Sequence, residues 1–293
     1  MKRSMLGIVL VLTFFAVGMA AAPSLTFTFT DVHANKTATE TDTYGLNNAG
    51  VIAGDYIDAK GVQHAMILAG KKLTSVNNKD CAALSLAFYG INAAGVAVGW
   101  CTDVNTGVAD AFTYSGGKFT AIKFPKSLGT EATGINDSGE VVGLYLDSNG
   151  AQHGFAKIGT KYKSIDVKGN TSADAYGINN KGVIAVYAIN SGGDYASYLY
   201  NGKTFKTISD PNAGTTGTVA HSPNNKGELC GTYFDSNGSA VGFLLKGGKY
   251  YDVIDPKASN STRADGLNDK LEIVGRYTPS TGGNFGFKAT TKQ

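Results

Sequence analysis

The amino-acid sequence predicts an all-β fold built from six copies of one unit, and three observations support this prediction. A phrase of the type Tyr-Gly-Ile-Asn, followed in most copies by a glycine three residues later, recurs along the chain. Short apolar segments alternate with turns rich in Gly, Asn and Asp, and no segment carries apolar residues at helical period. Glycine supplies 39 of the 293 residues and charged residues only 17%, a composition that argues against coiled coils and helical bundles.

The asparagines that end this phrase are 45, 44, 43, 45 and 44 residues apart. They are Asn47, Asn92, Asn136, Asn179, Asn224 and Asn268. The fifth copy has Ser222 and Pro223 before its asparagine, and the sixth has Leu271 in place of the later glycine. Spacing this regular indicates one structural repeat of about 45 residues.

Each repeat has the pattern of four strands, which is clearest in the third copy. A first strand ends before the turn at residues 136–139, and turns follow at 147–150 and around Gly159. Asn or Asp at the start of a four-residue turn and Gly at its end favour tight hairpins. The intervening segments, 140–145, 152–156 and 162–166, are therefore predicted to be the second, third and fourth strands.

Four-stranded units of this length are typical of β-propeller blades, which bury their faces against one another. We predict a single six-bladed propeller over residues 23–293, with repeats near 40–78, 85–125, 129–167, 172–211, 217–256 and 261–290. A solenoid of stacked hairpins is the alternative. The sixth repeat ends after its third strand, whereas residues 24–32 resemble the fourth strands of other repeats. We expect this N-terminal strand to complete the last blade and close the ring, because closure removes an exposed sheet edge.

Residues 1–22 have the form of a secretory signal peptide. Lys2 and Arg3 precede an apolar run that is too short for a membrane span and ends in small residues. We expect cleavage after Ala20, with Ala22 as the alternative, and a secreted or periplasmic chain with no membrane span; an uncleaved anchor is the other option. Cleavage leaves 24 of the 26 basic residues against 23 acidic ones. This near-neutral charge and the lack of a basic cluster are not those of a nucleic-acid-binding protein.

The phrase Gly-Ile-Asn-x-x-Gly-x-Val-Val-Gly, followed by His-Ala-Phe or a variant, resembles the bacterial extracellular HAF-repeat family. The triplet occurs as His64-Ala65-Met66, Asp110-Ala111-Phe112, His153-Gly154-Phe155, Val241-Gly242-Phe243 and Phe285-Gly286-Phe287. The fourth repeat departs furthest, with Tyr198 closing its triplet and Val186 where the second strand has glycine elsewhere. The resemblance covers about residues 27–290. It implies an exported repeat protein with a propeller-like fold, and it transfers no catalytic residue.

Candidate functional residues lie where the repeats differ, since a shared architecture requires agreement. In a propeller the first strand lines the central channel, and alternation places two variable rows on one face of it. The candidate catalytic carboxylates are Asp42, Glu131 and Asp174, and the candidate ligand-binding residues of these rows are Tyr44, Tyr89, Tyr176, His221, Arg263 and Asp265. The alternative is a set of hydrogen-bonded side chains that closes the channel.

A further variable row runs along the second strand of each repeat. It comprises Asp55, Trp100, Leu144, Tyr187, Thr232 and Arg276. Trp100 is the only tryptophan, and we add it to the ligand-binding candidates because Trp100 and Tyr187 offer flat faces for a sugar ring. A plain core role for Trp100 is the alternative.

Export permits disulfide bonds, and the chain has three cysteines. Cys81 precedes the first strand of the second repeat, and Cys101 lies on the neighbouring strand, so we predict a Cys81–Cys101 bridge. Cys230 occupies a position held by valine in other repeats, which predicts a buried free thiol.

The sequence contains no nucleophile elbow and no His-Glu-x-x-His motif. The segments at 147–150 and 235–238 have too few carboxylates for calcium loops and are predicted to be turns. We therefore expect no metal and no cofactor. The favoured function is a monomeric binding or scaffold module for carbohydrate or a surface protein. The alternatives are an extracellular polysaccharide hydrolase or lyase that uses the channel carboxylates, and a purely structural role; whether the protein is an enzyme stays open.

Overall fold

The computed structural model describes residues 25–292, and in this range the chain forms 24 strands and no helix. The predicted signal peptide, residues 1–22, lies outside the described residues. The strands are β1 (Thr26–Val32), β2 (Glu40–Leu46), β3 (Ile52–Ile57), β4 (Gln63–Ala69), β5 (Lys72–Val76), β6 (Ala87–Ile91), β7 (Ala97–Thr102), β8 (Ala109–Ser115), β9 (Lys118–Ile122), β10 (Gly129–Ile135), β11 (Val141–Leu146), β12 (Gln152–Ile158), β13 (Lys161–Ile165), β14 (Ser172–Ile178), β15 (Ile184–Ile189), β16 (Tyr195–Tyr200), β17 (Phe205–Ile208), β18 (Thr218–Pro223), β19 (Leu229–Phe234), β20 (Ala240–Lys246), β21 (Lys249–Val253), β22 (Ser261–Leu267), β23 (Ile273–Thr278) and β24 (Phe285–Lys292). The predicted all-β class is confirmed.

The strands pair into five sheets among the described residues. Four of them contain four consecutive antiparallel strands each: β2–β5, β6–β9, β10–β13 and β14–β17. The other eight strands form one sheet in the order β1-β24-β23-β22-β20-β19-β18, with β21 paired to β20. Where the sequence predicts six separate sheets, the structure thus has four separate sheets and one double sheet. The reason is one parallel pair, Ala240 with Ser261, which joins two antiparallel groups of four strands.

The repeated asparagines form a closed ring of hydrogen bonds around the central axis. Each side-chain amide donates to the main-chain carbonyl of the asparagine in the next repeat. Around the ring the N–O distances are 3.0, 3.3, 3.3, 2.8 and 3.2 Å, and Asn268 closes it on Asn47 at 3.2 Å. The ring therefore places the six first strands around one axis, with their turns at one end of the channel.

The turn after each first strand has a local cause. The side-chain oxygen of Asn136 accepts the main-chain N–H groups of Ser138 and Glu140, and Gly139 takes a φ of 78°. Leu271 occupies the glycine position in the sixth repeat with a φ of 60° and is buried. The asparagine thus shapes its own turn and also links it to the neighbouring repeat.

The triplet that resembles the HAF repeat has a packing role. Its last residue pairs across the sheet with the glycine of the second strand, as Phe155 pairs with Gly143 and Phe287 with Gly275. These phenylalanine side chains are fully buried. A Cβ at Gly143 would lie 1.9 Å from a main-chain oxygen, so only glycine fits this position. In the fourth repeat Val186 takes the place of the glycine, and the opposing Tyr198 is only half-buried.

The N-terminal strand β1 completes the last group of strands. It pairs antiparallel with β24 over seven residues, from Thr26 opposite Lys292 to Val32 opposite Gly286. The Phe29 ring packs edge-on against Phe287 with centroids 5.3 Å apart. The two ends of the described chain are thereby held together in one sheet.

Candidate functional site

The variable rows of the first and second strands lie opposite each other near one end of the channel. Asp42 pairs across the sheet with Asp55, Asp174 with Tyr187, and Ala87 with Trp100. A bulge in each first strand adds one extra residue two positions after this pair. The extra residues are Tyr44, Tyr89, Thr133, Tyr176, His221 and Asp265. The bulge brings the predicted second row beside the first, at the channel end opposite the asparagine ring.

Side chains from these rows form a network that we call the mouth cluster. Its members are Asp42, Tyr44, Asp55, Tyr89, Trp100, Glu131, Asp174, Tyr176, Tyr187, His221, Asp265 and Arg276. Its aromatic part begins with three rings in a row. The Tyr44 and Tyr89 rings stack at 4.6 Å, and Tyr89 lies nearly parallel to Trp100 at 6.0 Å and 6°. All three side chains are half-buried, so the row combines a fixed orientation with access to solvent.

Arg276 connects the aromatic row to the carboxylates. Its guanidinium lies 5.0 Å from the centre of the Tyr44 ring. Its Nη1 is 3.5 Å from Asp265 Oδ2, and its Nε is 3.7 Å from Asp42 Oδ1. Burial raises the pKa of Asp42 and raises that of Asp55 further, although Arg276 opposes both effects. The charge of Arg276 thus offsets only part of the effect of burial on the pKa values of these carboxyl groups.

His221 lies fully buried at the next position around the axis. Its Nδ1 donates to the Ala264 carbonyl at 2.9 Å and is 3.3 Å from Asp265 Oδ1. Its ring is 4.6 Å from that of Tyr176. Burial lowers the pKa of His221 despite the neighbouring Asp265 carboxylate. The neutral imidazole is therefore the favoured form, and it acts as a positioned hydrogen-bond donor.

Asp174 and Glu131 form the acidic part of the mouth cluster. The Tyr187 hydroxyl donates to Asp174 Oδ2 at 2.7 Å. The buried Asp174 Oδ1 has no hydrogen-bond partner among the described residues. Burial raises the pKa of Asp174 to about 6, and burial together with the Asp174 charge raises that of Glu131 to about 7. These two carboxyl groups are the best placed in the cluster to exchange protons near neutral pH.

Two predicted ligand-binding residues have surroundings that the sequence did not indicate. The Arg263 guanidinium lies over the Phe234 ring, 5.7 Å from its centre. Trp100 packs in part against the buried core between the second and third groups of strands, in addition to stacking on Tyr89. Trp100 therefore has a core role in part, and its stacking on a sugar ring stays a prediction.

Sequence reasoning underrated Asp55 and Arg276. Both belong to the second-strand row, but neither was a site candidate. Cross-strand pairing links both residues to the candidate site, because Asp55 pairs with Asp42 and Arg276 pairs with Arg263. Tyr187, which the sequence suggested for stacking, donates a hydrogen bond to Asp174.

Outside the mouth cluster, a disulfide joins Cys81 to Cys101, and Cys230 is a buried free thiol. His64 contacts Asp58 and Asn77, while His153 contacts Asp147 and Asp166 at the equivalent place in another sheet. In residues 25–292 no group of three or more His, Cys, Asp or Glu side chains is arranged to hold a metal ion. No helix in this range has the length and hydrophobicity to cross a membrane.

No protein-family model matches the chain, and no curated protein is similar to it in sequence. Solved structures are similar in fold. The lectin of Aleuria aurantia, described as a six-bladed β-propeller with a fucose recognition mode, has a TM-score of 0.53 at 12% identity over 88% of this chain and 96% of its own. The SapL1 lectin in complex with α-methyl fucoside has a TM-score of 0.52 at 11% identity over 88% and 97%. A mutant of AofleA from Arthrobotrys oligospora has a TM-score of 0.51 at 12% identity over 90% and 86%. The chain therefore has a β-propeller fold.

Proposed function

We propose that the protein is a carbohydrate-binding propeller whose ligand occupies the mouth cluster. The observation that carries this proposal is the half-buried row Tyr44–Tyr89–Trp100 with Arg276 and carboxylates at its end. Sugars present apolar C–H faces that pack on aromatic rings, and hydroxyl groups that pair with charged side chains. The fold neighbours support this function, since two of them are lectins described with fucose or a fucoside.

We further propose that the propeller has six blades. The asparagine ring closes after six members, and the double sheet is two antiparallel groups of four strands joined at a single parallel pair. Each group has the strand order of the four separate sheets, once β1 is counted as the outer strand of the last group. Residues 23–293 would then form one closed domain.

The proposed location of the protein is outside the cytoplasm, secreted or periplasmic. The signal-like residues 1–22, the resemblance to the HAF-repeat family and the Cys81–Cys101 disulfide all support export. We propose that the exported chain acts as a monomer, which light scattering on the purified protein would measure directly.

A glycan array followed by calorimetric titration tests the carbohydrate function. We expect at least one glycan to bind, and Trp100→Ala to weaken that binding by about tenfold or more through loss of the stacking face. Trp100→Phe keeps an aromatic face and is expected to retain most of the affinity. Thr120→Ala, on an exposed outer strand of the same sheet, is the matched surface control.

Two results would overturn this function. One is an array on which no glycan binds, a fucoside included. The other is glycan binding that Trp100→Ala leaves unchanged while the variant melts like the wild type, since the ligand would then lie elsewhere on the molecule.

A polysaccharide hydrolase or lyase is the second candidate, favoured by the raised pKa of Glu131, about 7. A carboxyl group that holds its proton near neutral pH is suited to general acid catalysis, and a neighbouring carboxylate can serve as base or nucleophile. Asp174 and Asp42 are the carboxylates available for that role. Release of reducing ends or unsaturated products from array ligands, abolished by Glu131→Gln, would establish the enzyme. Binding without turnover would eliminate it.

A further inference from the structure

The acidic part of the mouth cluster lacks cationic partners. Arg276 is directed to Asp42 and Asp265, the Arg263 guanidinium lies over Phe234, and His221 is held neutral by burial. Among the described residues no lysine, arginine or histidine forms an ion pair with Glu131 or Asp174. Two carboxyl groups at equivalent positions of neighbouring first strands, β10 and β14, therefore lie without an opposing charge.

One carboxylate oxygen of this pair, Asp174 Oδ1, lacks a hydrogen-bond donor among the described residues. Asp174 is only 3% exposed, and its Oδ2 accepts the Tyr187 hydroxyl, but its Oδ1 has no partner in the part of the chain that the structure describes. A buried acceptor left unpaired costs roughly 1–3 kcal/mol. A ligand with an N–H or O–H group at this point would recover that cost.

The surroundings favour a positively charged donor over a neutral hydroxyl. Tyr176 lies 6.4 Å from Tyr187, whose hydroxyl contacts Asp174. Tyr89 lies near enough to Glu131 for that carboxylate to raise the tyrosine's pKa. Aromatic rings and carboxylates that lie close together attract an ammonium group by cation–π and ionic interactions together.

We propose that Glu131 and Asp174 bind the ammonium group of an amino sugar, so that the mouth cluster selects oligosaccharides with free amino groups over their N-acetylated forms. This inference rests on the proposed carbohydrate function and specifies its ligand class. A primary ammonium offers three donors, enough for Asp174 Oδ1 and for Glu131 at once.

The test compares two probes of equal length, the hexamer of glucosamine and the hexamer of N-acetylglucosamine, by calorimetric titration at low ionic strength. We expect the glucosamine hexamer to bind at least tenfold more tightly. Asp174→Asn and Glu131→Gln should each lower the ratio of the two affinities to about one, because the carboxyl groups proposed to select the ammonium are then neutral amides. Asp137→Asn, an exposed carboxylate at the opposite end of the channel, is the control and should retain the preference.

The outcomes separate this inference from the carbohydrate function. Equal affinity for the two hexamers, or tighter binding of the acetylated one, overturns the inference while the proposed function stands. If other glycans on the array bind but neither hexamer does, the inference is likewise overturned and the proposed function stands. If no glycan binds at all, the proposed function fails and the inference fails with it. A preference that survives both Asp174→Asn and Glu131→Gln also overturns the inference, because the selecting groups would lie elsewhere.

Discussion

Single residues in this propeller are constrained by close approaches of the backbone. The second-strand glycines lie under the buried aromatic or methionine side chain that pairs with them, as Gly54 lies opposite Met66 and Gly143 opposite Phe155. A Cβ at either glycine would meet a main-chain oxygen at 2.0 Å or less. The repeated Gly and Phe positions are thus one packing unit, and the residues free to vary are those that face the channel.

Gly143→Ala is expected to destabilise the protein by about 3 kcal/mol or more, because the new methyl group meets the Glu131 carbonyl and the strands must separate. Gly150→Ala, in a turn with open space and a φ of 81°, should cost only about 1 kcal/mol through its left-handed conformation. Urea unfolding monitored by fluorescence compares the two. Equal losses would contradict the proposed packing unit.

Glu131→Gln is expected to reduce the pH dependence of stability. The folded-state pKa of Glu131 is raised from 4.5 to about 7, so its protonated form is stabilised by folding. That contribution is complete below the unfolded value and is lost as the pH rises through about 7. The wild type should therefore lose on the order of 1–3 kcal/mol more than the variant across this range. Melting curves that stay parallel for the two proteins would contradict the raised pKa.

At the scale of elements, the hairpins are formed by interactions within their own turns. The turn after each first strand is closed by its own asparagine. Most turns after a second strand are closed by an aspartate or asparagine, such as Asp147, which accepts the N–H groups of Asn149 and Ala151. The connection into β6 lacks such regularity, and the Cys81–Cys101 disulfide holds it against β7. The disulfide thus ties this irregular connection to the sheet of the second repeat.

Replacing Cys81 and Cys101 by alanine is expected to lower the free energy of unfolding by about 3 kcal/mol, the loop-closure value for a 20-residue separation. Reductant should lower the melting temperature of the wild type and leave that of the double variant unchanged. Under denaturing conditions without reductant, we expect only Cys230 to react with a thiol reagent. Three labelled thiols would show that the bridge is absent.

At the scale of the whole molecule, two devices close the ring. The asparagine ring links all six repeats near the axis, and β1 completes the last group of strands at the periphery. The first acts between neighbouring turns, whereas the second joins chain segments more than 250 residues apart. Closure leaves every repeat with a neighbour on both sides, as the buried faces require.

A chain that begins at His33 is expected to melt at least about 8 °C lower than one that begins at Leu25. Removing β1 exposes the edge of β24 and the packing of Phe29 on Phe287. Loss of two or three buried apolar side chains costs about 4 kcal/mol or more, and each kcal/mol is worth about 2–4 °C at this size. A synthetic peptide of residues 25–32 added in trans should restore part of the loss. A difference in melting temperature of less than about two degrees would contradict the closure hypothesis.

The repeat, its turns and its strands depend on residues close together in the chain, so they could be predicted from the sequence. The asparagine spacing, the turn glycines and the alternation of buried positions led to the all-β propeller and to the rows that line the channel. Which members of the two rows come into contact depends on how the strands pack in three dimensions. Arg276 reaches Asp42 and Asp265, and Arg263 lies over Phe234, because these contacts join different strands whose spacing the local sequence does not specify. For the same reason one parallel contact between Ala240 and Ser261 merges two sheets, and Asp174 retains an oxygen without a partner among the described residues.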